Sequence, residues 1–490
     1  MTQSAKAYAT LTATNFGPLG ECKLDLRPLT IFTGPSNTGK SWCATLVYAL
    51  LQRGISDSPW WPRFRLTQDF PELPDSFWES LQQVQVLQLP GSEIADSSYG
   101  ENIRLALDRV LAEKGKEIER CFGISDPGQL VSETCRSGGM RITMQYPPSG
   151  ENPEGWGYDL EAGDGWHCSV RLPEPWTIGH RDEALPVMTE LMKNLESGDP
   201  PDEQRKRFLL HREFYWLFLH SLYRNTPRNA WYMPADRGGI MHAHRVVVGA
   251  LIRDAARAGL APQSPLAPLS GVLADFLGNL VRLADDPEED VPFSHYMPDQ
   301  SPRSEPADDL EGVLGGRVTV GETNVNYPRI VWQPRGWQHP LDLMHASSMV
   351  TELSPVVLYL RHFVRPGDLL ILEEPEAHLH PARQVEIVEQ AAQWVRDGVR
   401  VILTTHSEWV LEALSNLVGA AEKDEAAEND EKEGLPADYV GLWQFEAQKD
   451  GGSVVREISF DENEGGFDSG YDAVAADLHN HWADIVGGTE

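Results

Sequence analysis

The chain has 490 residues, 41% of them hydrophobic and 23% charged, a balance typical of globular proteins and a length that suits about three domains. No run of about eighteen apolar residues occurs, so the sequence predicts no membrane-spanning helix. Its net charge of −33 weighs against a general nucleic-acid binder, because so acidic a surface repels phosphate backbones, and it suits a protein partner of opposite charge.

The opening MTQSAKAYATLTATNFG has neither a basic start with an apolar block nor an Arg-rich amphipathic pattern. Secretion and organelle import are therefore not expected, and the chain is placed in the cytosol. Five cysteines, Cys22, Cys43, Cys121, Cys135 and Cys168, share no metal-ligand spacing and read as reduced thiols. Residues 6–33 read as two or three strands, broken at Asn15-Phe16-Gly17-Pro18 and at Arg27-Pro28.

The strand Thr30-Ile31-Phe32-Thr33 runs into GPSNTGKS, residues 34–41, which fits the phosphate-binding pattern GxxxxGKS without departure. Gly34 and Gly39 let the backbone of Pro35, Ser36, Asn37 and Thr38 turn tightly against phosphate oxygens. Lys40 is placed to reach the β- and γ-phosphates, and the Ser41 hydroxyl to take a magnesium position. A helix is predicted from Trp42, itself beside the phosphates, to residue 53, with Gly54 as its stop.

Between 55 and 228 the pattern is mixed: proline-punctuated loops, a helix over 101–122, and short strands at RITMQYP, GWGYDL and HCSVRLP. A helix predicted over 204–224 is apolar around most of its circumference, as a buried helix or a dimer contact would be. Its start, Arg205-Lys206-Arg207, is the most compact basic cluster in the chain and reads as a solvated helix end. Ala230-Trp231-Tyr232-Met233 reads as a strand, and the polar pair Asp236-Arg237 after it is placed like a site loop. Two amphipathic helices near 240–259 and 268–284 precede an acidic, proline-rich loop over 285–312. GRVTVGE and YPRIVWQP read as strands, and MHASSMVTELSPVVLYLRHFV as a loop entering an apolar helix.

Leu369-Leu370-Ile371-Leu372 is short and wholly apolar, as a central parallel strand should be, and it ends in Glu373-Glu374. Neighbouring strand residues point to opposite sides, so Glu373 is assigned to magnesium and Glu374 to the attacking water. PEAHLHP follows, then a helix with Val385, Val388, Ala392 and Val395 on one face and Gly398 as its stop. The next buried strand, 399–403, ends in Thr404-Thr405-His406-Ser407, where His406 is placed to hydrogen-bond a γ-phosphate oxygen. Beyond it lie the solvated stretch EKDEAAENDEKE, strands at YVGLWQFE and SVVREISF, and a last helix near 471–485.

In order and wording, NFGPLGECKLDLRPLTIFTGPSNTGKS, LLILEEPEAHLHP and ILTTHS resemble the ATP-binding-cassette class of P-loop ATPases. Within it they are similar to the overcoming-lysogenisation-defect family and its relatives near RecF and the structural-maintenance-of-chromosomes heads. The resemblance covers 6–54 and 341–418, and the weaker YMPADRGG. It implies an α/β head with a parallel core sheet and an antiparallel N-terminal lobe, interrupted by a mixed, largely helical insertion. The expected divisions are 1–54, 55–228, 229–420 and 421–490.

The resemblance further implies ATP and magnesium as ligands, and a homodimer with two ATP molecules sandwiched between heads. Ser347, in Ala346-Ser347-Ser348-Met349, falls at the position that contacts the γ-phosphate of the other subunit, while Met349 departs from the family's glycine. Asp236 and Arg237 fall near the loop that links nucleotide to the arm, which implies that Arg237 contacts the nucleotide. Members with their own nuclease carry a longer C-terminal domain than the stretch 421–490 supplies, so no nuclease is expected here. ATPases of this form resemble regulatory subunits of bacterial antiphage systems such as PARIS or Septu, which implies a separate effector protein. The other reading is a DNA-repair head resembling RecF.

Overall fold

A computed structural model describes residues 8–52, 98–132, 139–147, 155–163, 165–172, 226–243, 269–283, 305–321, 329–424, 434–449, 451–461, 466–467 and 482. The helix expected over 204–224, Cys135, most of the acidic stretch 422–433 and nearly all of the helix expected near 471–485 lie outside these residues. No helix among the described residues is long and apolar enough to cross a membrane.

β1 (Ala9–Phe16) and β2 (Leu19–Leu26) form an antiparallel hairpin, and β3 (Leu29–Thr33) leads to α1 (Lys40–Leu51). β1 alternates buried and half-buried residues over most of its length, and β2 sets buried residues against half-buried and exposed ones, as strands with one face on the core do. Its turn needs Gly17 at φ 54°, since a Cβ there would lie 2.2 Å from the ring of Trp42. α2 (Ser98–Phe122) follows, then β4 (Arg141–Tyr146), β5 (Trp156–Ala162) and β6 (Trp166–Arg171). These three strands, read from sequence as part of an insertion, continue the first lobe's sheet, because β4 pairs antiparallel with β1.

β7 (Ala230–Met233), β11 (Leu369–Glu373) and β12 (Arg400–Thr405) lie parallel to β3. Among the described residues the main sheet has eleven strands in the order β6-β5-β4-β1-β2-β14-β13-β3-β12-β11-β7, with β13 (Val440–Ala447) and β14 (Ser453–Ile458) joining its two blocks. The α/β class, a parallel core with an antiparallel lobe, is therefore as the sequence predicts. β12 follows β11 in the chain yet inserts between it and β3, which brings three strand ends to one rim of the sheet.

Alternation along the parallel strands divides the core in two. Leu369, Ile371, Ile402 and Phe32 face α1, α2 and the antiparallel lobe. Leu370, Leu372, Val401, Leu403, Leu29 and Ile31 face the other side. There they meet α3 (Gly271–Arg282), α4 (Glu305–Leu314), α5 (Ser348–His362), α6 (Pro381–Arg396) and α7 (Glu408–Asp424). A small antiparallel sheet of β8 (Gly316–Gly321), β9 (Arg329–Pro334) and β10 (Leu341–Asp342) leads into α5.

Two expectations are corrected. The loop predicted over 285–312 contains the start of α4, where Ala307, Leu310 and Leu314 are buried at helical spacing beneath an acidic outer face. The helix predicted from Trp42 starts at Lys40 with Gly39 as its N-cap, so Lys40 and Ser41 belong to its first turn.

Candidate active site

The loop after β3 is shaped by three left-handed residues, Gly34 (φ 129°), Asn37 (φ 63°) and Gly39 (φ 97°). A Cβ on Gly34 would stand 2.2 Å from the Phe445 carbonyl oxygen of β13, and one on Gly39 would stand 2.8 Å from the Leu19 side chain. The chain's own packing therefore requires both glycines, in addition to any close approach by phosphate. Pro35, Ser36 and Asn37 are exposed on the rim, while Thr38 is buried and its hydroxyl donates to the Pro35 carbonyl at 2.8 Å.

Lys40 is buried, and its ammonium donates to the carbonyls of Gly34 (2.8 Å) and Pro35 (2.7 Å). Burial pulls its pKa down to about 8, against the opposing pull of Glu374 and Glu376. In the folded chain this proton is lost before it is lost in the unfolded one, so the group's contribution to stability is fully present above the ordinary lysine range and lost as pH falls through about 8. Phosphate needs the charged form. Phosphate-ligand affinity should therefore fall as pH rises through about 8, with proton uptake on binding in that window; calorimetry in two buffers of different ionisation heat measures that uptake.

At the end of β11, Glu373 is buried and Glu374 turns out at φ 43°. Burial raises the Glu373 pKa, while the Ser41 and Tyr232 hydroxyls and the Ala235 amide, 3.2 Å from Oε2, favour its charged form. Its Oε1 is buried without a hydrogen-bond partner. An orphaned carboxylate oxygen beside a serine hydroxyl is a hard-oxygen donor set that fits magnesium.

Glu374 is held by β12, its amide donating to the Thr404 carbonyl (3.0 Å) and hydroxyl (3.1 Å). Its Oε1 lies 3.2 Å from His406 Nε2, and both side chains are partly open to solvent, at 39% and 32%. Sequence reasoning missed Glu376. Its buried carboxylate accepts from the Thr405 hydroxyl (2.6 Å) and the His406 amide (2.8 Å), and so fixes the strand end that carries the histidine. The available signal was its place two residues beyond Glu374, in the turn that must pass the end of β12.

Two other expected contacts take different places. Trp42 packs its ring against Phe16 and Phe122, at centroid distances of 5.5 and 4.9 Å, so its side chain serves the lobe's core. Arg237 is 0% exposed and spends its donors on backbone carbonyls, so it sits behind the carboxylates and offers no surface to a nucleotide. Ser347 is the exposed N-cap of α5, its hydroxyl accepting from the Val350 amide at 3.4 Å. Asp236 is exposed in the turn after β7.

Residues 194–412, less than half of the chain, match the family described as "AAA domain, putative AbiEii toxin, Type IV TA system". No curated protein matches the chain. Similar solved structures include an Smc head bound to the C-terminal winged-helix domain of ScpA, at 10% identity over 93% of this chain and 99% of that one, TM-score 0.42. A head domain of SMC from Thermotoga maritima aligns at 11% identity over 93% and 100%, TM-score 0.33. One from Pyrococcus furiosus, with an extended coiled coil and bound to the C-terminal domain of ScpA, aligns at 10% over 93% and 98%, TM-score 0.40.

Proposed function

We propose that this chain is an ATP-hydrolysing switch of the ATP-binding-cassette type, which works as a homodimer and controls a separate effector protein in antiphage defence. One observation carries the enzymatic part. Lys40 and Ser41, His406, and the Glu373-Glu374 pair meet at the ends of β3, β12 and β11, three neighbouring parallel strands. The family match over 194–412 supports the same reading.

Phosphates bind at the N-terminus of α1, where free backbone N–H groups and the Lys40 charge favour anions. Ser41 and Glu373 would hold magnesium, which supplies charge neutralisation for the β- and γ-phosphate oxygens. Glu374 orients the attacking water and takes its proton. In the free chain His406 Nε2 is engaged by the Glu374 carboxylate; exchanging it for a γ-phosphate oxygen releases Glu374 for that water. The histidine thereby ties the base's availability to the presence of the third phosphate.

The net charge of −33 favours a protein partner over DNA. ATP-loaded protein should retain a partner protein through purification and show no salt-sensitive hold on duplex DNA. A steep loss of DNA binding between about 50 and 200 mM salt would support the repair-head reading in its place.

A further inference from the structure

Arg237 stands at the centre of contacts that neither phosphate binding nor hydrolysis explains. It follows β7, whose pairing with β11 ends at Met233 opposite Leu372. One residue further, β11 has no strand neighbour on that side among the described residues, and the guanidinium takes that role. Nη1 donates to the Glu373 carbonyl at 2.6 Å and to the Pro234 carbonyl at 3.2 Å, and Nη2 to the Glu374 carbonyl at 3.3 Å.

Held from β12 by Thr404 and from the other side by Arg237, the backbone at Glu374 keeps its φ of 43°. A non-glycine residue persists in that region only where its surroundings over-determine it. The remaining nitrogen, Nε, donates to the Glu352 carbonyl at 3.0 Å and lies 3.4 Å from its carboxylate. Glu352 is itself buried, in the second turn of the helix capped by Ser347. Its other carboxylate oxygen lies 4.0 Å from Nε2 of His378, in the turn after Glu374. One buried cation thus joins the Ser347 helix, the end of β7 and the backbone of both site carboxylates.

We infer that Arg237 is a positioning residue that makes the placement of Glu374 depend on the seating of the Ser347 helix. The inference rests on the ATPase reading proposed above. A planar guanidinium suits the task because it can address several carbonyls at once in a fixed fork, which a lysine ammonium on a flexible stem cannot. A partner that presses on the exposed Ser347 end would move Glu352, and through Arg237 the turn that carries Glu374.

The test compares wild type, Arg237→Lys and Glu352→Gln in steady-state ATP turnover and in binding of a fluorescent ATP analogue, with melting curves to establish folding. Glu352→Gln keeps the carbonyl contact and removes only the ion pair, so it serves even where Arg237→Lys does not fold. Loss of a positioning contact should lower kcat about tenfold in Arg237→Lys, and less in Glu352→Gln, with nucleotide affinity within about twofold of wild type. Folded variants that turn over at the wild-type rate overturn the inference, as do variants that lose binding and turnover in proportion, the pattern of a merely structural residue. Absence of turnover in wild type would instead defeat the ATPase reading itself, and the inference with it.

Discussion

Glu374→Gln should lower ATP turnover by at least about a hundredfold while leaving ATP affinity nearly unchanged, because general-base assistance contributes about 10²–10⁴ to such reactions. The substitution keeps the size of the side chain and leaves the backbone untouched, so the φ of 43° and the bonds to Thr404 remain. What it removes is the carboxylate that faces His406 and would accept the water's proton. The loop closed by Gly34 and Gly39 and the Lys40 that follows it in α1 lie beyond another strand and keep their hydrogen bonds; Lys40 loses only the upward pull of the Glu374 charge on its pKa. Single-turnover measurement of bound ATP separates the two quantities. A variant that hydrolyses at the wild-type rate would remove Glu374 from the chemistry, and one that no longer binds ATP would assign it a structural role.

Much of this site is legible in the sequence because its parts sit where short apolar runs stop. Leu29–Thr33 and Leu369–Glu373 are buried at every position, and an apolar run of that length between turn residues has few folds open to it other than a central strand. The residues just beyond such runs fall at strand ends, so Lys40, Glu374 and His406 could be placed on one rim without coordinates. Long-range pairing is what local pattern does not carry. β13 and β14 are recognisable as strands, but nothing in their own residues places β13 against β3 and β14 against β2.

Arg237 illustrates the same limit. Its position after a strand and before two glycines suggests a site residue, and a nucleotide contact was the natural expectation. Three of its four carbonyl partners, however, those of Glu352, Glu373 and Glu374, lie more than a hundred positions away in the chain. Gly34 differs again: phosphate approach is sufficient reason for it in the sequence, whereas the fold adds the Phe445 carbonyl as a second. The helix Glu305–Leu314 was hidden by proline and acid density that reads as loop, although its four apolar residues, Ala307, Leu310, Val313 and Leu314, keep helical spacing.

Ser347→Arg should abolish turnover as completely as Lys40→Ala does, yet through the other subunit. Ser347 caps an exposed helix N-terminus, where backbone N–H groups and the helix dipole suit a phosphate presented by a second copy. An arginine there replaces the cap and puts a bulky side chain where the two heads would meet. Its own phosphate loop is intact, so the variant should still bind ATP. Lys40→Ala has the converse defect, a sound Ser347 and a loop without its cation. The most direct measurement is therefore ATP turnover by the two inactive variants alone and after mixing. If each site is built from two chains, the mixture regains activity, because one kind of mixed dimer holds an undamaged loop opposite an undamaged Ser347. If the mixture stays as inactive as its components, while each folds and Ser347→Arg binds ATP, the site is complete within one chain and the dimeric switch is wrong.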